Sequence, residues 1–176
     1  MGRYVALLRG INVGGKNMLP MKALAEMFEV AGCAEVVTYI QSGNVVFNAS
    51  GPLAKRMSKL ISLAIAAQLG MRVPVVVRSA AEMAAAVRGN PFAEPVTGLH
   101  VMFLGEAPSE GAVAGLDGNR SPGDQFVVVG AEIYLALGNG AGYTKLTNAY
   151  FDTKLKTVST MRNWRTVLTL TEMSGG

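Results

Sequence analysis

Three short polar segments separate apolar runs and carry the side chains best suited to binding a ligand. They are residues 9–16, 41–44 and 160–166, with the sequences RGINVGGK, QSGN and TMRNWRT. Each lies where a predicted strand ends or a predicted helix begins, so backbone amides and side chains there are available to a ligand. Their guanidinium, ammonium and amide groups are typical of anion binding, and no acid–base pair is evident.

A fourth polar segment, residues 138–145, is rich in glycine and is predicted to open a helix, where unpaired N–H groups favour phosphate or carboxylate. The alternative role is structural, because glycine and asparagine tolerate the left-handed backbone of tight turns. The sequence leaves both interpretations open. The candidate anion-binding residues of the four segments are Arg9, Asn12, Lys16, Gln41, Ser42, Asn44, Lys145, Arg162, Asn163 and Arg165.

Residues 10–16 also match the phosphate-loop pattern G-x-x-x-x-G-K, but the surrounding residues exclude a nucleotide triphosphatase. Asn17 replaces the serine or threonine that would bind magnesium. Pro20 lies where the phosphate-binding helix should already have begun, and the first aspartate of the chain is Asp117.

Other catalytic chemistries lack the residues they need. A single histidine, His100, and a single cysteine, Cys33, cannot provide the three or four ligands of a zinc site. We expect His100 at a strand end or in the core, and Cys33 as a buried, unreactive thiol. Ser42 lacks the G-x-S-x-G pattern and is predicted to be a turn serine. We therefore assign no catalytic residue, no metal and no cofactor.

Composition and charge point to a globular protein with an anionic partner. Of the 176 residues, 50% are hydrophobic and no run approaches a membrane span, so we expect a cytoplasmic protein with no membrane partner. The net charge is +4, and residues 36–81 contain no acid. This asymmetry favours nucleic acid or a phosphorylated metabolite, although a basic soluble surface would look the same.

The apolar periodicity predicts the element order βαββαβ twice, each followed by one more helix. Such a unit folds as a ferredoxin-like sandwich, so we predict an α+β protein of two ferredoxin-like units in tandem, residues 1–88 and 89–176. The predicted strands are residues 4–9, 36–40, 45–47, 73–77, 99–104, 125–129, 133–137 and 157–161. The predicted helices are residues 21–31, a segment between a Ser50 cap and Gly70, and residues 80–88, 110–116, 144–154 and 164–173.

We expect the polar segments to meet at one site only under a condition. In a ferredoxin-like unit the first strand lies beside the third, so the end of the first strand and the turn before the third are expected at opposite chain polarities. For the segments to meet, either the loop 10–16 must fold back or the two halves must pack across each other. In the last segment we expect Arg162, Asn163 and Arg165 to face a ligand while Trp164 turns inward.

Five strings of the sequence resemble the DUF1697 family, a bacterial domain family of unknown function. They are YVALLRGINVGG (4–15), LPM (19–21), TYIQSGNVVF (38–47), NPF (90–92) and RNWRTV (162–167). The resemblance implies a compact α+β protein of ferredoxin-like units and transfers no catalytic residue. One departure is threonine at position 144, where family members more often have serine before the lysine.

Three functions remain open on this basis. The leading hypothesis is binding of a phosphate-bearing partner, most of all nucleic acid, on an open sheet face. The second is an enzyme acting on a small phosphorylated or carboxylated metabolite. The third is a protein–protein interaction module that pairs through a sheet edge. A long basic groove would favour the first, and a pocket of roughly 300–1,000 Å³ would favour the second.

Overall fold

The computed structural model describes residues 1–93 and 96–176, which fold as an α+β protein with two four-stranded antiparallel sheets. Eight strands lie in these residues: β1 (Gly2–Leu8), β2 (Ala34–Tyr39), β3 (Asn44–Ala49), β4 (Val75–Ser79), β5 (Leu99–Leu104), β6 (Asp124–Val129), β7 (Glu132–Leu137) and β8 (Ser159–Asn163). Six helices accompany them: α1 (Met21–Val30), α2 (Gly51–Leu69), α3 (Ala80–Arg88), α4 (Glu110–Ala114), α5 (Asn148–Leu155) and α6 (Trp164–Met173).

The chain divides into two compact units. Unit 1 is Met1–Ala85 together with Leu168–Gly176, and unit 2 is Ala86–Val167. The sheet of unit 1 has the strand order β2-β3-β1-β4, and the sheet of unit 2 has the order β6-β7-β5-β8. The predicted division after residue 88 assigns all of α6 to the second half, whereas the compact units divide within that helix.

In unit 1, the local sequence explains where α2 begins and ends. Ser50 accepts a hydrogen bond from the Leu53 amide at 3.4 Å, which caps the first turn, and Gly70 ends the helix with a left-handed backbone, φ +66°. The helices pack on one face of the sheet, where the ring centroids of Phe28 and Phe47 lie 5.1 Å apart. The Ser50 cap and the Gly70 stop were both predicted.

In unit 2, α5 begins later than the sequence predicts. The prediction placed its start at residue 144, but the helix begins at Asn148 because the Thr147 hydroxyl accepts a hydrogen bond from the Tyr150 amide. Lys156 ends the helix in a left-handed conformation. The strand predicted at residues 157–161 accordingly begins at Ser159 and continues to Asn163.

On the sheet faces that point away from the helices, the central strands are buried. Side chains alternate along a strand, so Val5 and Leu7 of β1 lie on the face opposite Ala6 and Leu8, and both are fully buried. On the corresponding face of unit 2, Val101 and Phe103 are also fully buried. The expectation of an open sheet face for nucleic acid is therefore wrong for these central strands.

Candidate functional site

Strand β8 passes directly into helix α6, with no loop between them. Asn163, the last residue of β8, accepts a hydrogen bond from the Thr166 amide at 2.9 Å through Oδ1. Its side chain thus caps the first turn of α6 and satisfies one of the amides that a helix start leaves without a partner. The polar segment 160–166 therefore has a structural role as well as any functional one.

Arg162 is buried in the interior of unit 2, whereas the sequence predicts that it faces a ligand. Its side chain is buried and its Nη1 donates hydrogen bonds to Thr160 Oγ1 at 2.7 Å and to the Met161 carbonyl at 2.9 Å. Burial lowers the pKa of Arg162 to about 10. The strand continues through residue 163, so Arg162 shares the buried face of β8 with Thr160, while Asn163 and Arg165 are exposed.

An open cleft of about 380 Å³ lies in unit 2, where the start of β5 meets the junction of β8 and α6. The antiparallel register brings these ends together, because His100 of β5 pairs with Asn163 of β8. A volume of this size suits a small molecule. The cleft is lined by Val96, Gly98, Leu99, His100, Asn163, Trp164 and Arg165.

The imidazole of His100 is held in one orientation at this cleft. Its Nδ1 lies 2.8 Å from the carbonyl oxygen of Gly98, which can only accept a hydrogen bond. Nδ1 therefore carries the proton, and in the neutral ring Nε2 is an acceptor. His100 is the second residue of β5, as expected for a strand-end histidine, but its place in a cleft was not foreseen.

Trp164 and Arg165, whose side chains carry hydrogen-bond donors, line the same cleft. Within residues 1–93 and 96–176, the indole Nε1 of Trp164 is a buried polar atom without a hydrogen-bond partner. An N–H group of this kind is costly to leave unsatisfied. Arg165 is exposed and brings a positive charge. The single tryptophan and the single histidine of the chain thus line one cleft.

The first two polar segments meet at one edge of the unit 1 sheet. Strands β1 and β3 are antiparallel and pair Leu7 with Asn44, so the end of β1 and the turn before β3 lie at the same edge. The two strands do have opposite polarity, but this places the two segments together, so the expectation that loop 10–16 must fold back for them to meet is wrong. Asn12 Nδ2 donates hydrogen bonds to the carbonyl oxygens of Leu19 and Gln41, both at 2.9 Å, and its Oδ1 accepts one from the Leu19 amide at 2.7 Å.

Asn44 and Ser42 also bond within the turn. Asn44 is fully buried, and its Nδ2 donates to the Tyr39 carbonyl at 3.1 Å and to Ser42 Oγ at 3.0 Å. Ser42 is thus the turn serine that the sequence predicts. Lys16 and Gln41 are exposed, and Arg9 is half-buried. A shared site of Arg9, Asn12, Gln41 and Asn44 with Arg162 and Asn163 stays a prediction.

The glycine-rich segment 138–145 surrounds a carboxylate of the protein itself. Asp124 accepts hydrogen bonds from Ser121 Oγ at 2.7 Å and from the Asn139 amide at 3.1 Å. Burial acts to raise the pKa of Asp124, but these hydrogen bonds outweigh it and the pKa is lowered. The Lys145 amide donates to Ser121 at 3.1 Å. This segment does not open a helix, since α5 begins at Asn148.

One further group, the Cys33 thiol, bears on the chemistry. Burial raises the pKa of the Cys33 thiol to about 11, which makes it unreactive at neutral pH, as predicted. Across residues 1–93 and 96–176, no group of three acidic, histidine or cysteine side chains is arranged to hold a metal ion. None of the described helices has both the length and the apolar character that crossing a bilayer requires.

A family model described as "Protein of unknown function (DUF1697)" matches residues 1–134 of the chain. The chain belongs to the DUF1697 family. The resemblance found in the sequence is thereby confirmed. No curated protein matches the sequence. Among solved structures, this DUF1697 protein is similar to a conserved bacterial protein from Streptococcus pneumoniae, with 21% identity, 98% of each chain covered and a TM-score of 0.68.

The sequence of this DUF1697 protein did not identify two residues of the cleft, His100 and Trp164, as ligand contacts. Their one available signal was rarity, since each is the only residue of its type in the chain. His100 and Asn163 are far apart in sequence, and only the pairing of β5 with β8 makes them neighbours. Asn163 and Arg165, which were predicted, line the same cleft.

Proposed function

We propose that this DUF1697 protein binds a small molecule bearing a phosphate or carboxylate group in the cleft of unit 2. The observation that carries the proposal is one cleft lined by both the Arg165 cation and Trp164, a residue whose buried Nε1 lacks a partner among the described residues. An oxyanion can accept from both groups, because indole and guanidinium are donors only.

The apolar part of the cleft supports a ligand with a carbon body. Val96 and Leu99 line it together with the indole ring of Trp164. Small-molecule sites commonly combine such apolar walls with a few polar groups that fix orientation. The cleft therefore suits a small organic anion better than an extended polymer, and the same groups would suit an enzyme acting on a small phosphorylated or carboxylated metabolite.

We also infer that each unit is a ferredoxin-like fold. The element order βαββαβ and the antiparallel strand orders β2-β3-β1-β4 and β6-β7-β5-β8 support this assignment. In such a unit the first and last strands are antiparallel neighbours, so the start of one adjoins the end of the other. The cleft of unit 2 lies where the start of β5 adjoins the end of β8.

Replacing Arg165 with glutamine is expected to weaken anion binding at least about tenfold while changing the free energy of unfolding by less than about 1 kcal/mol, as for an exposed side chain. Fluorescence of Trp164, the sole tryptophan, can report binding directly during titration with propyl phosphate or propionate. The matched control is Lys154→Gln, which removes an exposed positive charge from the end of α5, outside the cleft lining. Equal affinities for the two variants would contradict the proposal, as would a wild-type protein that binds neither probe.

Nucleic acid is a second candidate because of one surface of α2. Lys55, Arg56 and Lys59 are exposed on this helix, and residues 36–81 contain no acid to balance them. Binding there would use a helix surface and phosphate contacts, since the central strands of both sheets are buried.

If nucleic acid binds at α2, affinity for a single-stranded oligonucleotide should fall steeply as salt concentration rises, because displaced counterions drive association. Replacing Lys55, Arg56 and Lys59 with glutamine should reduce the slope of log K against log salt by up to about 2, at roughly 0.7 per lost contact. Fluorescence anisotropy measures both slopes, with Lys154→Gln as the control. No binding at low salt, or an unchanged slope in the triple variant, would rule out this surface.

A further inference from the structure

We infer that the ligand of the unit 2 cleft carries a hydroxyl group beside its anionic group, and that His100 accepts the hydrogen bond from this hydroxyl. The inference rests on the proposed function and narrows it to hydroxylated anions, either phosphate esters of polyols or hydroxy acids. It follows from which polar atoms of the cleft donate and which accept.

The Gly98 carbonyl determines the tautomer of His100. This oxygen accepts from His100 Nδ1 at 2.8 Å and from the Leu137 amide at 3.0 Å, so both of its lone pairs are used. It cannot serve a ligand, and it keeps the His100 proton on Nδ1. The neutral imidazole then offers Nε2 with a lone pair and no hydrogen.

The other polar side chains that line the cleft have donors to offer. Trp164 Nε1 and the Arg165 guanidinium are donors only. Asn163 Oδ1 already accepts from the Thr166 amide, which leaves its Nδ2 as a donor. His100 Nε2 is therefore the acceptor that these lining side chains present.

An anion without a hydroxyl group can pair with the donors of the cleft side chains but not with their acceptor. Phosphate or carboxylate oxygens can accept from Arg165 and Trp164, but they leave Nε2 of neutral His100 with no donor. A hydroxyl on the carbon body supplies that donor. Sites that hydrogen-bond a substrate hydroxyl discriminate strongly against the analogue that lacks it, because a polar atom of the protein then loses its partner.

Two pairs of probes separate the hydroxyl from the charge. Glycerol 3-phosphate and propyl phosphate carry the same anionic group and three-carbon body and differ in their hydroxyls. Glycerate and propionate form the corresponding pair with a carboxylate group. Comparing the two pairs therefore also shows whether the cleft binds a phosphate or a carboxylate. Titrations at pH 8, where imidazoles are neutral, follow Trp164 fluorescence.

The wild-type protein is expected to bind the hydroxylated member of at least one pair about tenfold or more tightly, a difference of about 1.4 kcal/mol. His100→Phe should abolish this preference, so that the two members of each pair bind with affinities equal within about threefold. His100→Asn provides a second variant, because its amide can still donate to the Gly98 carbonyl while Nε2 is lost. The single imidazole also gives one Nε2 resonance in ¹⁵N NMR, which the hydroxylated probe should shift and the deoxy probe should leave in place.

The outcomes separate this inference from the proposed function. Binding of the anions without hydroxyl preference overturns the role of His100 and leaves the anion site standing. A preference for the hydroxylated probes that persists in both His100 variants likewise overturns the role of His100 and leaves the anion site standing. Failure of all four probes to bind overturns the anion site and this inference together.

Discussion

Gly98→Ala is expected to lower the free energy of unfolding by about 3–5 kcal/mol. Gly98 has φ +69°, and a Cβ built there lies 2.2 Å from the carbonyl oxygen of Leu137, a backbone atom that a side-chain rotation cannot move away. The strand start must therefore shift, and the hydrogen bonds of the Gly98 carbonyl to His100 and Leu137 are strained with it. Urea unfolding followed by Trp164 fluorescence measures the change in unit 2.

Gly111→Ala is the matched control for this substitution. Gly111 lies in α4 of the same unit, and a Cβ there meets no atom within 4 Å. Alanine favours helix over glycine by about 1 kcal/mol, so this variant is expected to be as stable as the wild type or slightly more so. Equal midpoints for the two variants would show that the close approach of Gly98 to Leu137 does not hold the strand start in place.

Asn12→Ala is expected to lower the free energy of unfolding by about 4 kcal/mol. Three hydrogen bonds of the Asn12 side chain, to Leu19 and Gln41, are lost at about 1 kcal/mol each. Alanine must in addition adopt the left-handed backbone of Asn12, φ +54°. Urea unfolding monitored by far-ultraviolet circular dichroism gives the difference.

Asn12→Gly separates the two contributions to this loss. Glycine adopts the left-handed backbone without strain but makes none of the three hydrogen bonds, so the variant should recover about 1 kcal/mol relative to alanine. If Asn12→Ala is instead as stable as the wild type, the side chain is not structural, and its assignment as a ligand contact regains support.

These expectations divide the polar segments by role. Asn12 and Asn44 make hydrogen bonds that hold the edge of the unit 1 sheet, and Arg162 is an interior residue of β8. Segment 138–145 surrounds Asp124. Asn163 and Arg165 line a cleft together with Trp164, whose buried Nε1 lacks a hydrogen-bond partner among the described residues, so the search for a ligand is best directed there.

Much of the fold could be predicted because its determinants are local. Helices α3 and α6 and strand β5 have the bounds that the apolar periodicity predicts. The Ser50 cap and the Gly70 stop act within one turn of α2, so their residues can be recognised in the sequence alone. The start of α5 was missed because Thr144 and Thr147 are both plausible caps, and the sequence does not say which one is used.

The chemical character of the chain also followed from the sequence by itself, including its positive charge, its single unreactive cysteine and its DUF1697 signature. The tertiary structure alone decided which signature residues are buried and which distant residues meet. His100 becomes a neighbour of Asn163 through the register of two antiparallel strands. Register depends on the packing of whole strands against a core, so the composition of one segment does not specify its partner.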